Sequence, residues 1–283
     1  GLYSGASGAG KFESVNEREY RLTAGKIRSV ADTFLGGMDV YYAVVPDKSV
    51  FAGRYFPGFD PERAAAILAE ELPGMTAIDL TSALVGEDFY KTDLHWDQTR
   101  LSGVLAALGG AISGAPWRAD AWFAEASLNG TETVGEFSGV YPGQLALPML
   151  PDVMRYLADA DALQVQYMNP QTGAMEPGAV YDAALFASDD PYSFFLKGPQ
   201  PLIFLTNPEA DTARTLYVFR DSFTSSLEPL IALCGAYREV VLVDLRYIDS
   251  RVLSQYVTFK ANADALFLYS SQILNNSTIL KVN

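Results

Sequence analysis

One histidine, His95, occurs in 283 residues, two positions after an acid in Tyr90-Lys91-Thr92-Asp93-Leu94-His95-Trp96. Any imidazole chemistry in this chain must take place there. In an extended segment, residues two apart project to one side, so the Asp93 carboxylate would orient the His95 ring and stabilise its protonated form. The competing reading is a structural, hydrogen-bonded histidine. A hydroxyl answers it far downstream, where Val218-Phe219-Arg220-Asp221-Ser222-Phe223 joins an apolar run to a helical one. Serine becomes a nucleophile when it is presented outside regular hydrogen bonding and a base takes its proton. Pro229 is tolerated only in a helix's first turn, so the helix is expected to begin near Thr224 to Ser226, with Ser225-Ser226-Leu227-Glu228 as a capping box. Ser222 is then left on the strand-to-helix turn, where parallel strand ends and helix N–H groups converge. Alternatively, Asp221 and Ser222 only cap that helix.

Other chemistries have less behind them. One His and one Cys cannot supply the usual nitrogen and sulfur ligands of zinc, and carboxylate-only calcium or magnesium binding stays open with no motif behind it. No metal and no cofactor are therefore expected. Cys234 sits in an apolar run and reads as a small core residue that leaves the redox compartment open. Asn276-Ser277-Thr278 matches a glycosylation sequon, a pattern common by chance.

The elements that must position Asp93, His95 and Ser222 follow a wound pattern. Apolar residues recur helically from Glu17 to Phe34, and Gly36-Gly37 supplies a stop. The unbroken run from Val40 to Val45 predicts a strand buried on both faces, as in a parallel sheet. Asp60-Pro61 caps a helix that ends at Pro73-Gly74, and 76–80 predicts a second parallel strand. Asp97 is expected to cap the helix that carries Leu101, Val104, Leu105, Leu108 and Ile112. Turn signals then crowd between 115 and 200 (Asn129-Gly130, Tyr141-Pro142-Gly143, Asn169-Pro170, Glu176-Pro177-Gly178), with helical spacing only over 148–163. Strands resume at Leu202, Leu216, Val240 and Ala265. The expectation is an α/β fold, a mostly parallel sheet flanked by helices. Residues 1–114 and 201–283 would form the two parts of one domain, and 115–200 a partly β insertion laid over the sheet.

A 49% hydrophobic fraction is ample for a buried core. A formal charge of −14 opposes nucleic acid and anionic lipid heads as partners. No apolar run reaches membrane-spanning length. The small-residue start, Gly1-Leu2-Tyr3-Ser4-Gly5-Ala6-Ser7-Gly8, is compatible with a removed export signal or a cloning scar. Aromatic content of 12% offers sugar-stacking surface, although aromatic residues serve mostly as core.

The segment from Tyr90 to Trp96 resembles the signature of the DHHW family, with Leu94 where that signature has its second residue, histidine. The resemblance continues through Tyr42-Ala43-Val44-Val45-Pro46-Asp47-Lys48, Asp190-Pro191-Tyr192-Ser193-Phe194-Phe195, Arg220-Asp221-Ser222-Phe223, Asp244-Leu245-Arg246-Tyr247 and Phe267-Leu268-Tyr269-Ser270, covering nearly the whole chain. The family is similar to SGNH-hydrolase-like O-acetyltransferases of exported polysaccharides, in which the Asp-x-His pair precedes the serine, a permuted order. The resemblance implies Ser222 as nucleophile, His95 as base and Asp93 as orienting acid, with Arg246, Tyr247 and Trp96 facing substrate; Arg246 as a mere ion-paired arginine is the alternative. It further implies an acyl, most plausibly acetyl, ester hydrolase or O-acetyltransferase acting outside the cytoplasm on a carbohydrate or acylated small molecule, with a membrane-bound acyl donor protein as a candidate partner. Arg220 stands where ordinary SGNH esterases have glycine, and their asparagine and glycine oxyanion blocks are not recognisable. These departures keep open a non-catalytic cell-surface module that binds glycan or protein.

Overall fold

The β-rich apolar runs predicted as buried strands meet side by side. The computed structural model describes residues 2–5, 8–11, 13–52, 58–112, 117, 123, 130–157 and 160–283. A short hairpin, β1 (Leu2–Gly5) with β2 (Gly8–Lys11), precedes helix α1 (Glu17–Phe34) and strand β3 (Asp39–Val45). Next come α2 (Pro61–Glu71), capped as expected by Asp60 on the Arg63 N–H at 2.9 Å, then β4 (Thr76–Ile78) and α3 (Ser102–Ala111). β4 is two residues shorter than predicted, because Asp79 turns to cap the Thr81 N–H. Asp97 caps a 3-10 turn, Gln98–Arg100, that leads into α3.

Residues 130–200 contribute β5 (Thr131–Phe137), α4 (Val140–Leu145), β6 (Asp152–Leu157), β7 (Gln164–Met168), β8 (Met175–Gly178) and α5 (Ala183–Phe186). Three local expectations are corrected here. The helical spacing of 148–163 is overridden by strand β6, which pairs antiparallel with β5 and buries Met154 and Leu157; Pro148 and Pro151 weaken a helix there. Tyr141-Pro142-Gly143 lies inside α4, with Pro142 in its first turn, where no N–H is needed. Glu176-Pro177-Gly178 belongs to β8, an outermost strand that tolerates proline. Residue 129 of the expected Asn129-Gly130 turn lies outside the described residues.

The chain closes with β9 (Leu202–Thr206), β10 (Thr215–Arg220), α6 (Glu228–Leu233), β11 (Glu239–Val243) and β12 (Asp264–Ser270). The main sheet has the order β4-β3-β12-β10-β11-β9-β7-β8. β4, β3, β12, β10 and β11 run parallel, whereas β9, β7 and β8 are joined antiparallel. The sheet is thus mixed, not mostly parallel. Apolar runs cannot reveal strand direction, since strands buried on both faces look alike in sequence. Part of the 115–200 stretch also extends the sheet itself through β7 and β8, in addition to the β5–β6 pair that stands apart from it.

Alternate residues of the central strands feed two cores. Val218, Leu266 and Leu268 pack with Leu105, Leu108 and Ile231 on one face; Phe219, Phe267 and Tyr217 pack with Ile27, Ile67 and Leu68 on the other. Because five strands are parallel, the ends of β3, β10, β11 and β12 open on one rim, where Lys48, Ser222 and Arg246 follow the first three and Ser270 ends β12. Among the described residues no helix is long and apolar enough to cross a membrane.

Candidate functional site

Ser222 opens a 3-10 turn, Ser222–Ser226, directly after β10, and the turn runs into α6. Asp221 fixes it twice over. Its Oδ1 accepts the Phe223 N–H at 2.8 Å, and its Oδ2 accepts the Ser270 N–H and hydroxyl, both at 2.7 Å, which ties the turn to the end of β12. The capping box expected at Ser225 and Glu228 does not form. The buried Arg220 guanidinium takes both side chains, through Nη2 to Ser225 Oγ and through Nε to Glu228 Oε1 at 2.8 Å. Thr224 Oγ1 also donates to Glu228, at 2.6 Å. Burial drives the Glu228 carboxyl upward, and the Arg220 charge only partly offsets this.

His95 sits in a bent loop, not the extended segment predicted. The loop is closed by Tyr90 N–H on the His95 carbonyl at 3.0 Å and Asp97 N–H on the Asp88 carbonyl at 2.7 Å. Asp93 folds back, so that its Oδ1 lies 2.6 Å from His95 Nδ1 and accepts the His95 backbone N–H at 3.0 Å. The juxtaposition expected of an acid–base pair therefore arises from a side-chain-capped bend. Val140 N–H reaches Asp93 Oδ2 at 3.2 Å, and Gly139 packs so closely on Asp93 that a Cβ there would overlap its side chain. Burial alone would raise the Asp93 carboxyl, but the His95 charge and these hydrogen bonds hold it below the usual carboxylate range.

The His95 side chain is 12% exposed. Tyr192 stacks on its ring at 3.8 Å and 8°, and Phe223 lies 5.0 Å away. Tyr192 in turn donates to Ser226 Oγ at 2.8 Å and to the Phe223 carbonyl at 3.1 Å. Trp96 Nε1 reaches the same Ser226 hydroxyl at 3.1 Å, and Gln98 Nε2 the Ser226 carbonyl at 2.7 Å. The histidine loop and the serine turn are thus fastened together through Ser226, one turn along from Ser222. Ser222 is itself half-buried, and among the described residues its side chain makes no hydrogen bond.

The three residues expected to face substrate differ in position. Trp96 is 0% exposed and belongs to the core, which corrects its expected role. Arg246 follows β11 and is paired with Asp244, through Nη2 at 2.6 Å and Nε at 2.9 Å. Tyr247, 46% exposed, lies under the Arg246 guanidinium at 5.2 Å. Sequence reasoning assigned no role to Tyr192, Ser226, Gln98 or Asp152. Asp152 accepts the Lys91 N–H (2.9 Å), the Thr92 N–H (2.6 Å) and the Thr92 hydroxyl (2.6 Å), anchoring the histidine loop to β6. A carboxylate sixty residues away leaves no local signal of such a contact.

Among the described residues no group of three or more His, Cys, Asp or Glu side chains is arranged to hold a metal ion. A roomier hollow of about 390 Å³ lies between α2 and β4, lined by Phe59, Leu68 and Leu80, away from the imidazole.

No family model matches the chain, and no curated protein does. Solved structures resemble it in fold. A DHHW family protein from Eubacterium siraeum is similar at a TM-score of 0.75 and 16% identity, over 98% of this chain and 92% of that one. Bacillus cereus PatB1, solved with a sulfonyl adduct, gives 0.73 and 15%, over 100% and 98%. The O-acetyltransferase domain of Pseudomonas putida AlgJ gives 0.51 and 14%, over 97% and 92%. The DHHW likeness read from the motifs is therefore matched by a likeness of fold.

Proposed function

We propose that Ser222, His95 and Asp93 act together in acyl transfer, with an acetyl ester of an extracytoplasmic carbohydrate as the substrate class. The observation that carries this reading is the Asp93–His95 contact of 2.6 Å, its ring packed against Phe223, the residue after Ser222. His95 takes the Ser222 proton through Nε2 as Oγ attacks the acyl carbonyl, while Asp93 holds Nδ1–H and stabilises the imidazolium. The tetrahedral oxyanion lies against the Ser222 N–H, since the Phe223 N–H is occupied by Asp221. Collapse returns the proton to the leaving alcohol. Water or a sugar hydroxyl, deprotonated by His95, then releases the acyl group. The likeness to the AlgJ O-acetyltransferase domain supports O-acetyl transfer as the reaction class. Residues 1–114 and 201–283 form the catalytic unit, and 115–200 steadies its acid. A membrane-bound acyl donor is the partner this scheme calls for, and Tyr247 with Arg246 is its substrate-facing rim.

One observation favours a non-catalytic glycan- or protein-binding module instead: the Ser222 hydroxyl is not hydrogen-bonded to the imidazole. Such bonds commonly tighten only when substrate is present. Acetate release from a simple aryl acetate decides between the two. A fall of at least about a thousandfold in Ser222→Ala is expected; equal rates in both proteins would overturn the enzymatic reading.

A further inference from the structure

Lys48 reaches the histidine loop from outside it, and it is 4% exposed. It begins the 3-10 turn Lys48–Phe51 just beyond β3, with Asp47 capping the Ser49 N–H at 2.8 Å. Its Nζ lies 2.7 Å from the Ala9 carbonyl, 3.3 Å from that of Asp93 and 3.4 Å from that of Lys91, and it also donates to the Tyr90 carbonyl. Three N–H groups are therefore shared among four carbonyls, three of them on the loop that carries Asp93 and His95. The fourth, on β2, belongs to a residue whose own N–H binds the Lys91 carbonyl at 2.7 Å. The Tyr141 ring closes one side at 5.5 Å. Among the described residues no carboxylate pairs directly with this ammonium.

Burying a cation without such a pair is unfavourable, and burial pulls the Lys48 pKa down to about 8 against the opposing charges of Asp152, Asp93 and Asp47. An apolar side chain would fill the same space without that penalty. It could not hold together four carbonyl dipoles that converge on one point and repel one another.

We propose that Lys48 is a positioning residue: its buried ammonium gathers the carbonyls of Tyr90, Lys91 and Asp93 with that of Ala9, and so fixes the bend in which Asp93 meets His95. The kinetic side of this proposal rests on the acyl-transfer reading above. The structural side does not.

The single histidine makes the test direct, because the imidazole N–H region of a nitrogen-15 spectrum reports on one ring only. In the wild type a slowly exchanging, downfield Nδ1 proton bonded to Asp93 is expected. In Lys48→Met, which keeps the stem and removes the ammonium, that proton should move upfield or be lost to exchange. The kcat for aryl acetate should fall about a hundredfold, as for a misplacement near 1 Å, with KM nearly unchanged. Lys48→Gln, which returns two donors without the charge, should fall between and supplies the same two measurements if the Met variant does not fold. A folded Met or Gln variant with the wild-type resonance and wild-type kcat would overturn the proposal. Ser222→Ala separates the two claims. Activity lost in Ser222→Ala with its resonance intact, together with the resonance displaced in Lys48→Met, supports both. Retained activity in Ser222→Ala, with the resonance still displaced in Lys48→Met, leaves the clamp standing and removes the acyl chemistry.

Discussion

Asp93 does two jobs with one carboxylate, capping the His95 backbone and facing the His95 ring, and both depend on Gly139 leaving room for it. Gly139→Ala should therefore destabilise the fold by about 1–3 kcal/mol, the range of overpacked sites, and lower activity further than a cold-sensitive surface change would; thermal denaturation beside kcat/KM checks both. Because the folded Asp93 carboxyl is held below its ordinary value, its stabilisation is complete above the unfolded pKa of about 4 and is lost as pH falls through the lower folded value. The stability difference between wild type and Asp93→Asn should accordingly close in acid. Lys48 is lowered too, but there burial works against the charged form. Its folded pKa is about 8 against an ordinary 10.5, so between those values the unfolded chain keeps a proton that the folded chain has lost. Relative to Lys48→Met, wild-type stability should rise over that window while its activity falls. The Asp-x-His spacing made the pair legible in the sequence. The residues that hold it, Asp152, Gly139 and Lys48, come from distant segments, and no local pattern assigns them that role.

At the scale of elements, helix ends were the most legible feature, because their signals are local: Asp60-Pro61 starts α2, and Gly36-Gly37 follows α1. The turn after β10 was less so. Its sequence offered a capping box, but the side chains are claimed by Arg220, which crosses from strand to helix inside the core. That pair yields a prediction about α6. Arg220→Met leaves Glu228 buried without its cation and should lose about 3–5 kcal/mol, whereas Arg220→Met with Glu228→Leu should recover most of it. A double-mutant cycle by urea denaturation measures the coupling. The 148–163 stretch failed as a helix for a related reason. Pairing with β5 and burial of Met154 and Leu157 outweigh the weak preference of an apolar spacing broken by prolines.

The whole molecule is a mixed sheet whose parallel block presents one rim, and the antiparallel strands β9, β7 and β8 widen the sheet beyond it. Alternation and apolar runs carried the existence of most central strands, while their direction was set by connections that sequence patterns do not encode. The formal charge of −14 acts at this scale. On an anionic acetylated glycan, KM should fall as salt rises from low to physiological levels, and on a neutral one it should stay level, since screening relieves only the charged encounter. Labelling with a sulfonyl fluoride followed by peptide mapping tests the serine's activation most directly. One covalent adduct on Ser222 in the wild type, and almost none in His95→Ala, is the predicted result. Absence of an adduct on Ser222, or equal labelling with and without the imidazole, would contradict it.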